Sequence, residues 1–366
     1  MTIFLSTLVI ILCFYTMFRV VENYFMKSLD SISDWLKLTP TVAGATLMAF
    51  GTSAPELSTA LVTLFVPNTD PATGLGSIVG AALFQTLVVI GFAAIVHTTH
   101  LDWKPVLRDG LFYALAIFLL IIFAQDGVFT FIEAGFFVLV YISYLGVQLY
   151  WSKSVEEAIE PDALDIIEEG IKEMEKRRYS VVEKIQQFIT KPIDSILVSV
   201  LKLIPDPDKK PKWTIPVFFI SLIIIGLLSY FLVLASETLA DSIGVPHSIV
   251  ALTILAGGGA LPEIIASVIV SKNNKGDMAV SNAIGSNIFD ILISLGLPLL
   301  FYTMVNGNLG GIDDHNIHSS MLLLFATLIS VVLLLIVQRF NINRWSGGVL
   351  IFLYILYVFA AYTGRI

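Results

Sequence analysis

Two Pro-Glu pairs, Pro55-Glu56 and Pro262-Glu263, each lie near the middle of a long apolar stretch. Proline inside a helix removes a backbone hydrogen bond and clashes with the preceding turn, so each pair predicts a broken helix. A carboxylate in apolar surroundings is expensive unless a partner or a ligand compensates its charge. Both glutamates are therefore candidate binding residues. The alternative is a protonated glutamate that is hydrogen-bonded to a neighbouring helix.

The side chains near the two pairs offer only oxygen as a ligand atom. They are carboxylates, hydroxyls and amides, which suit hard cations such as Ca²⁺, Na⁺ and K⁺. Zn²⁺ and Cu²⁺ prefer nitrogen or sulfur, but none of the five histidines lies near a Pro-Glu pair, and Cys13 is the single cysteine. The sequence therefore predicts transported cations and no cofactor.

The pairs belong to an internal repeat. Gly51-Thr52-Ser53-Ala54-Pro55-Glu56-Leu57 aligns with Gly258-Gly259-Ala260-Leu261-Pro262-Glu263-Ile264. Each motif is followed by a second one, Gly80-Ala81-Ala82-Leu83-Phe84-Gln85 in the first copy and Gly285-Ser286-Asn287-Ile288-Phe289-Asp290 in the second. Gln85 and Asp290 thus occupy matching positions, and the repeat is typical of a duplicated transporter.

The composition shows which elements must position these residues. The chain has 366 residues, of which 56% are hydrophobic and 14% are charged, whereas soluble domains carry about 25% charged residues. The net charge of −8 excludes a nucleic-acid binder, and one cysteine excludes a disulfide-built module. We therefore expect an all-α polytopic membrane protein, with the lipid bilayer as its surroundings.

Ten apolar stretches approach or exceed the length of about 20 residues that a helix needs to cross a bilayer. They are residues 3–25, 39–66, 73–96, 106–125, 128–150, 214–236, 246–271, 278–302, 319–338 and 346–363. The pattern predicts a first five-helix repeat (1–151), a hydrophilic loop (152–212) and a second five-helix repeat (213–366) that enters the membrane with opposite polarity. Apolar spacing over 181–204 predicts either an amphipathic helix on the inner leaflet or a solvated linker helix.

Basic residues predict the orientation. Every odd-numbered connection between the stretches contains Lys or Arg, and the even-numbered connections contain none. The positive-inside rule then places the odd connections and the loop 152–212 in the cytoplasm and both termini outside. We expect the plasma membrane rather than an organelle.

Both repeats resemble the cation/calcium exchanger superfamily, most closely its potassium-dependent sodium/calcium exchangers. Three stretches carry the resemblance: Glu22-Asn23-Tyr24-Phe25 with Ser28-Leu29 and Ile32-Ser33; Val42-Ala43-Gly44-Ala45-Thr46 before the first motif; and Gly276-Asp277-Met278-Ala279-Val280-Ser281-Asn282 before the second motif's continuation through Asp290. The resemblance implies an alternating-access antiporter, not an enzyme, in which Na⁺ entry drives Ca²⁺ out.

The resemblance also implies roles for individual residues. Glu56 and Glu263 would be paired central ligands shared by Ca²⁺ and Na⁺. Hydroxyl, amide or backbone oxygens would complete the shell, from Thr52, Ser53, Ala49, Ala256, Ser286 and Asn287. Asp290, with Gln85 at the matching place, would serve K⁺ or another third cation. Two glutamates balance one Ca²⁺ or two Na⁺, and a third carboxylate leaves one charge for a monovalent ion.

Three departures from the family pattern bear on the coupling ion. Gly259 and Ala260 stand where Thr and Ser are usual, Ala81 where Ser is usual, and Gln85 where Asn is usual. Fewer hydroxyls near Glu263 mean fewer Na⁺ ligands, which leaves a Ca²⁺/H⁺ exchanger as the alternative. A passive cation channel is a rival of another class, but channels usually need a ring of identical subunits.

Overall fold

The structure, a computed structural model, describes residues 1–36, 47, 49–96, 98–101, 103–156, 204–205, 211–261, 263–264, 267, 271, 276–311 and 315–363. Within these ranges the chain is helical apart from two very short strands. Pro262 and the predicted helix over 181–204, except for its last residue, lie outside the described residues.

The helices before the central segment are α1 (Thr2–Val20), π1 (Val21–Phe25), α2 (Met26–Leu36), α3 (Ala49–Thr52), α4 (Ala54–Phe65), α5 (Pro71–Phe84), π2 (Gln85–Val89), α6 (Ile90–Val96), α7 (Trp103–Phe123) and α8 (Phe131–Glu156). Those after the central segment are a 3₁₀ turn (Pro211–Trp213), α9 (Thr214–Ile243), α10 (His247–Val250), π3 (Ala251–Leu255), α11 (Ala256–Gly259), α12 (Gly276–Phe289), π4 (Asp290–Leu295), α13 (Gly296–Asn306), α14 (His315–Val337) and α15 (Arg344–Tyr362). The strands are β1 (Thr99–His100) and β2 (Asn341–Ile342).

Eight helical segments of the described chain are long and apolar enough to cross a membrane. Two shorter apolar helices, Ala54–Phe65 and His247–Gly259, accompany them. The short helices lie in the two predicted stretches that carry the Pro-Glu pairs, where the sequence predicts interrupted helices. The prediction of an all-helical fold rich in membrane-crossing segments is therefore confirmed.

The polarity of the surface and the interior suits a protein surrounded by lipid. On α9, Ile223 and Phe231 are exposed, whereas the hydroxyl-bearing Ser221 and Ser229 are fully buried. Large apolar side chains also cover the outer faces of most other long helices, and many Ser and Thr side chains lie in the core. In a bilayer, polar side chains characteristically face the interior of the helical bundle.

Several helical segments extend beyond their predicted bounds, and the first and the sixth do so furthest. The first runs from Thr2 to Leu36 through α1, π1 and α2, rather than ending near residue 25. The sixth ends at Ile243, where Gly244 adopts a left-handed conformation (φ 73°) that terminates the helix. An apolar run marks the part of a helix that lies in lipid, but backbone hydrogen bonding continues through amphipathic turns beyond it.

Main-chain pairs join the connections of the two halves. β1 pairs with β2 in antiparallel register, Thr99 opposite Ile342, and so joins the third predicted connection to the ninth. Phe129 and Leu309 exchange two backbone hydrogen bonds of 2.8 and 3.0 Å. They join the connection between α7 and α8, which is longer than the fourth predicted connection and includes Phe129, to the eighth. Odd-numbered connections therefore pair with odd ones, and even-numbered with even.

The two halves also touch through bare backbone at the centre. A Cβ atom at Gly80 would lie 2.6 Å from the Leu252 Cα atom, a distance that real contacts do not reach. Glycine at position 80 therefore lets α5 of the first half lie directly against π3 of the second half. This contact brings the first-half segment that leads to Gln85 next to the second-half break.

Candidate cation site

Glu56 lies in the first turn of α4, immediately after the first helix interruption. Ser53 separates α3 from α4, and Pro55 occupies a first-turn position, where its missing N–H group is tolerated. Backbone bonds continue on either side, from Ser53 N to Ala49 O (3.0 Å) and from Leu57 N to Ser53 O (3.0 Å). The predicted break is present, but it is narrow. Glu56 is buried beside it.

Glu263 follows the second interruption. α11 ends at Gly259, and Ala260 leaves the helical conformation with φ −84° and ψ 7°. The Ala260 N–H donates to Ala256 O (3.1 Å), and Ile264 N–H donates to Ala260 O (3.3 Å). Glu263 is buried like Glu56. Both repeats therefore present a buried glutamate shortly after a short gap in the helix.

The Glu56 side chain extends across to the second interruption. A Cβ atom added at Gly259 would lie 2.6 Å from Glu56 Oε1, so the carboxylate occupies the space that a side chain at 259 would need. A cavity of about 10 Å³ adjoins Glu56, Ala256 and Gly259. A volume of that size holds about one water molecule.

Asp290 is the first residue of π4 and lies in a polar cluster contributed by both halves. Gln85, the first residue of π2, donates from Nε2 to Asp290 Oδ2 at 3.3 Å. The Ser294 hydroxyl donates to Oδ1 at 3.3 Å, and the Ser53 hydroxyl also hydrogen-bonds this carboxylate. The repeat-related residues 85 and 290 thus contact each other directly.

The three carboxylates interact electrostatically. Glu56 experiences the charge of both Asp290 and Glu263. Within the described part of the chain, however, no three His, Cys, Asp or Glu side chains are arranged to hold one metal ion directly. A cation bound among these carboxylates would therefore take part of its coordination from other oxygen atoms.

Asn287, one turn before Asp290, lies against the first half. Its Nδ2 atom donates to Thr86 Oγ1 (3.1 Å) and to Ala82 O (3.5 Å). The Tyr113 hydroxyl lies 3.0 Å from Thr86 Oγ1. The sequence pattern did not single out Thr86, Tyr113 or Ser294. Position 294 follows Asp290 by four residues, which is a local signal, but no local signal points to Tyr113 on α7.

The buried side-chain oxygens of this region that accept no hydrogen bond include Glu56 Oε2, Gln85 Oε1 and Asn287 Oδ1. Buried oxygen atoms without a donor are rare, and a bound ion or water molecule commonly satisfies such atoms. Carboxylate and amide oxygens are ligands that Ca²⁺, Na⁺ and K⁺ accept. The donor set present therefore fits hard cations.

The remaining predicted ligands are less available. Thr52 directs its hydroxyl to Ala49 O at 3.2 Å, and the same carbonyl accepts from Ser53 N, so both of its lone pairs are engaged. Ala256 O accepts one helical bond. Ser286 is buried on α12 one turn before Asp290. Ligation by the Ala49 carbonyl would require Thr52 to turn its hydroxyl away.

The larger cavities lie elsewhere. Two of them, about 320 and 230 Å³, are lined almost entirely by apolar side chains and contain none of the predicted site residues. Since a cation needs oxygen ligands, their volume does not make them candidates for ion binding. The small cavity, in contrast, adjoins the Glu56 carboxylate.

Comparisons with known proteins identify similar chains. Residues 6–150 and 213–363 match the family described as sodium/calcium exchanger protein. The chain is 27% identical to sodium/potassium/calcium exchanger 2 of Gallus gallus, over 93% of this chain and 74% of that protein. It is 26% identical to sodium/potassium/calcium exchanger 2 of Homo sapiens, over 97% of this chain and 77% of that protein.

The fold has solved counterparts. A structure of the sodium-calcium exchanger NCX_Mj soaked with Na⁺ and Sr²⁺ superimposes with a TM-score of 0.55 and 22% sequence identity, covering 97% of this chain and 98% of that chain. A second NCX_Mj structure, soaked with Na⁺ and Ca²⁺, gives a TM-score of 0.55 over 99% of both chains. At this level of identity the likeness concerns the fold.

Proposed function

The chain belongs to the sodium/calcium exchanger protein family, and we propose that it exchanges Ca²⁺ against Na⁺ by alternating access, with K⁺ carried together with Ca²⁺. The K⁺ component is supported by the relatives, which are named sodium/potassium/calcium exchangers. It is also supported by a third buried carboxylate, Asp290, beside the two glutamates.

We infer that the cation site lies between the two helix interruptions. The main support is the set of unpartnered buried oxygens, Glu56 Oε2, Gln85 Oε1 and Asn287 Oδ1, contributed by both halves of the chain. Glu56 and Glu263 would be shared by Ca²⁺ and Na⁺ in turn, because two carboxylates balance either one Ca²⁺ or two Na⁺. Alternating occupancy of one site by the two ions is what an antiporter requires.

Asp290 would supply the charge for K⁺, with Gln85 adding a neutral oxygen. Its carboxylate is held by three side-chain donors, from Ser53, Gln85 and Ser294. A monovalent ion gives up its hydration shell only where a nearby charge and oxygen ligands replace it. The relatives' names support K⁺ rather than H⁺ as that ion.

The other predicted ligands would complete the shell when an ion enters. Ser53 and Ser286 are already buried beside the carboxylate-bearing turns. Thr52 would rotate its hydroxyl from Ala49 O to the ion, which also frees that carbonyl, and Ala256 O retains one unused lone pair. Ca²⁺ accepts six to eight oxygens in flexible geometry, so such rearrangement is compatible with binding.

The architecture that this function needs is an inverted repeat of ten crossings, residues 1–151 and 213–366, around a cytoplasmic loop (152–212). The eight long and two short apolar helices support the number of crossings. The backbone pairs of connection three with nine and four with eight support the inversion, because a twofold exchange of the halves converts one pair into the other. We place the protein in the plasma membrane with both termini outside.

The test is Ca²⁺ uptake into proteoliposomes that contain the purified protein. An outward Na⁺ gradient should drive uptake, K⁺ on the Ca²⁺ side should be required, and Na⁺ efflux should match Ca²⁺ entry in a fixed ratio. Uptake driven by an outward proton gradient without Na⁺ would replace this proposal with Ca²⁺/H⁺ exchange. Ca²⁺ flux without counter-flux would indicate a channel.

A further inference from the structure

We propose that Tyr113 and Thr86 are positioning residues that fix the orientation of the Asn287 side-chain amide, so that its oxygen and not its NH₂ group faces the transported cation. This inference rests on the proposed function. It concerns two residues outside the ligand set derived above, one of them on α7.

Two acceptors determine which way the amide turns. Asn287 Nδ2 faces Thr86 Oγ1 at 3.1 Å and Ala82 O at 3.5 Å. A backbone carbonyl accepts and never donates, so Ala82 O can face only the NH₂ side. The Oδ1 atom therefore points the other way, where it has no hydrogen-bond partner in the buried interior.

Thr86 accepts from Asn287 only if its own proton is directed elsewhere, because a hydroxyl can donate as well as accept. If its proton turned toward Asn287, the flipped amide, with Oδ1 accepting from Thr86, would also be satisfied there. Tyr113 supplies a competing acceptor for that proton, since its hydroxyl lies 3.0 Å from Thr86 Oγ1. The Tyr113 hydroxyl in turn donates to Ala82 O at 3.5 Å.

The bonds thus run in one direction. Thr86 donates to Tyr113, Tyr113 donates to Ala82 O, and the lone pair left on Thr86 Oγ1 accepts from Asn287 Nδ2. Every hydroxyl proton in the group has a destination, and the amide has one orientation that suits both of its neighbours. Removal of the Tyr113 hydroxyl leaves the Thr86 O–H group without that acceptor, so it can turn and donate to Asn287. The two orientations of the Asn287 amide then become closer in energy.

The position of the group makes this orientation matter. Tyr113, Thr86 and Asn287 are all buried, so no bulk water replaces a lost hydroxyl. A flipped Asn287 amide places its NH₂ group where the cation would take an oxygen ligand. The NH₂ group is the positive end of the amide dipole, so it repels the cation. The expected consequence is weaker cation binding without a change in how the helices move.

The experiment measures half-saturating Ca²⁺ and maximal exchange rate in proteoliposomes for single variants. Tyr113→Phe and Thr86→Val should each raise half-saturating Ca²⁺ about fivefold to tenfold, the effect of losing one buried hydrogen bond, at an unchanged maximal rate. Thr86→Ser keeps the hydroxyl and should restore the wild-type value. The double variant should show no more than the effect of Thr86→Val alone.

Tyr357→Phe is the matched control. Tyr357 is also a buried tyrosine whose hydroxyl contacts a neighbouring hydroxyl, Ser320 Oγ at 3.2 Å, and it contacts no proposed ligand. Its variant should leave half-saturating Ca²⁺ unchanged. In an Asn287→Asp background, both side-chain oxygens are equivalent, so Tyr113→Phe should lose its effect on half-saturating Ca²⁺.

Several results would overturn the inference. They are an unchanged half-saturating Ca²⁺ in Tyr113→Phe, a fall in maximal rate alone, additive effects of the two variants, or an equal shift in Tyr357→Phe. If Tyr113→Phe does not fold, Thr86→Val carries the same expectation and the same contradiction. Failure of the wild type to exchange Na⁺ for Ca²⁺ would instead refute the proposed function, so the two failures are distinguishable.

Discussion

The two helix interruptions differ in what occupies the space beside them. At the first, Thr52 and Ser53 carry hydroxyls, which bond Ala49 O and the Asp290 carboxylate respectively. At the second, Gly259 and Ala260 carry none, and the Glu56 carboxylate of the first half lies against Gly259. The repeat is therefore symmetric in its backbone and asymmetric in its oxygen atoms.

This difference indicates what occupies the place of the missing hydroxyls at the second interruption. Thr is usual at the position of Gly259 in the family that the sequence resembles, but a side chain there would collide with Glu56 Oε1. Glu56 can extend to this position because residue 259 has no side chain. In the proposed site, the Glu56 carboxylate of the first half would supply an oxygen where the second half carries no hydroxyl.

The largest effect should come from neutralising either central glutamate. Glu56→Gln or Glu263→Gln should reduce Na⁺-driven Ca²⁺ uptake in proteoliposomes to background, because the two remaining carboxylates, one glutamate and Asp290, cannot balance Ca²⁺ together with K⁺. If the two halves contribute equally, both variants fail alike, despite their different surroundings.

Glu237→Gln is the control for that loss. Glu237 is also a buried carboxylate, but it accepts from Asp70 N (3.0 Å) and Thr73 Oγ1 (3.2 Å) at the start of α5, away from the interruptions. Glutamine keeps an acceptor oxygen there, so uptake should persist. Robust uptake in both central variants would contradict the proposed site.

The next effect concerns the contact between Gln85 and Asp290. Asp290→Asn should abolish the dependence of uptake on K⁺ and retain Ca²⁺ transport, because the amide keeps an oxygen but removes the charge that offsets K⁺ dehydration. Uptake is measured across K⁺ concentration and pH for both proteins. Asp290 would instead be a proton carrier if K⁺ affected uptake by neither the wild type nor Asp290→Asn, and if uptake by Asp290→Asn no longer depended on pH.

A smaller effect is expected when the asymmetry itself is altered. Gly259→Ala should raise half-saturating Ca²⁺ roughly tenfold, because the added methyl group displaces the flexible Glu56 carboxylate by a few tenths of an ångström and weakens charge-assisted binding. Gly226→Ala is the control, since a Cβ atom at Gly226 meets nothing within 4 Å. Unchanged Ca²⁺ dependence in Gly259→Ala would show that Glu56 does not need its place against Gly259.

The smallest effect should follow from removing a hydroxyl at the first interruption. Ser53→Ala removes one of three donors to Asp290, and we expect an increase in half-saturating K⁺ of about fivefold, which corresponds to about 1 kcal/mol for one hydrogen bond. Ser294→Ala removes another donor, from Asp290's own helix, and should act similarly. If Ser53→Ala changed half-saturating Ca²⁺ instead of half-saturating K⁺, Ser53 would act on the Ca²⁺ site of the two glutamates and not on Asp290.

Much of this arrangement follows from the sequence pattern. The length of the apolar runs predicts the long helices, and the proline beside each glutamate predicts the interruptions, because both are local properties of the chain. Gln85 and Asp290 occupy matching positions of the repeat, and the structure adds a hydrogen bond between them. Their roles in ion binding stay predictions.

Other features depend on contacts between distant segments and have no local pattern. The π-helical turns that begin at Gln85 and Asp290 follow from how the helices pack, and an apolar run is equally compatible with an uninterrupted α-helix. Tyr113 is one of many aromatic residues in an apolar helix, and only its contact with Thr86 distinguishes it. The approach of Glu56 to Gly259 likewise joins residues far apart in the chain.

The two backbone pairs between connections have a consequence for the order of assembly. Thr99 and Phe129 are made before the central segment, but their partners, Ile342 and Leu309, are made after it. Neither pair can form while only the first half has been inserted, and until then the polar groups of these connections bond water at the membrane surface. Completion of the fold therefore waits for the second half, and a ribosome-bound first half is an inserted but unfinished intermediate.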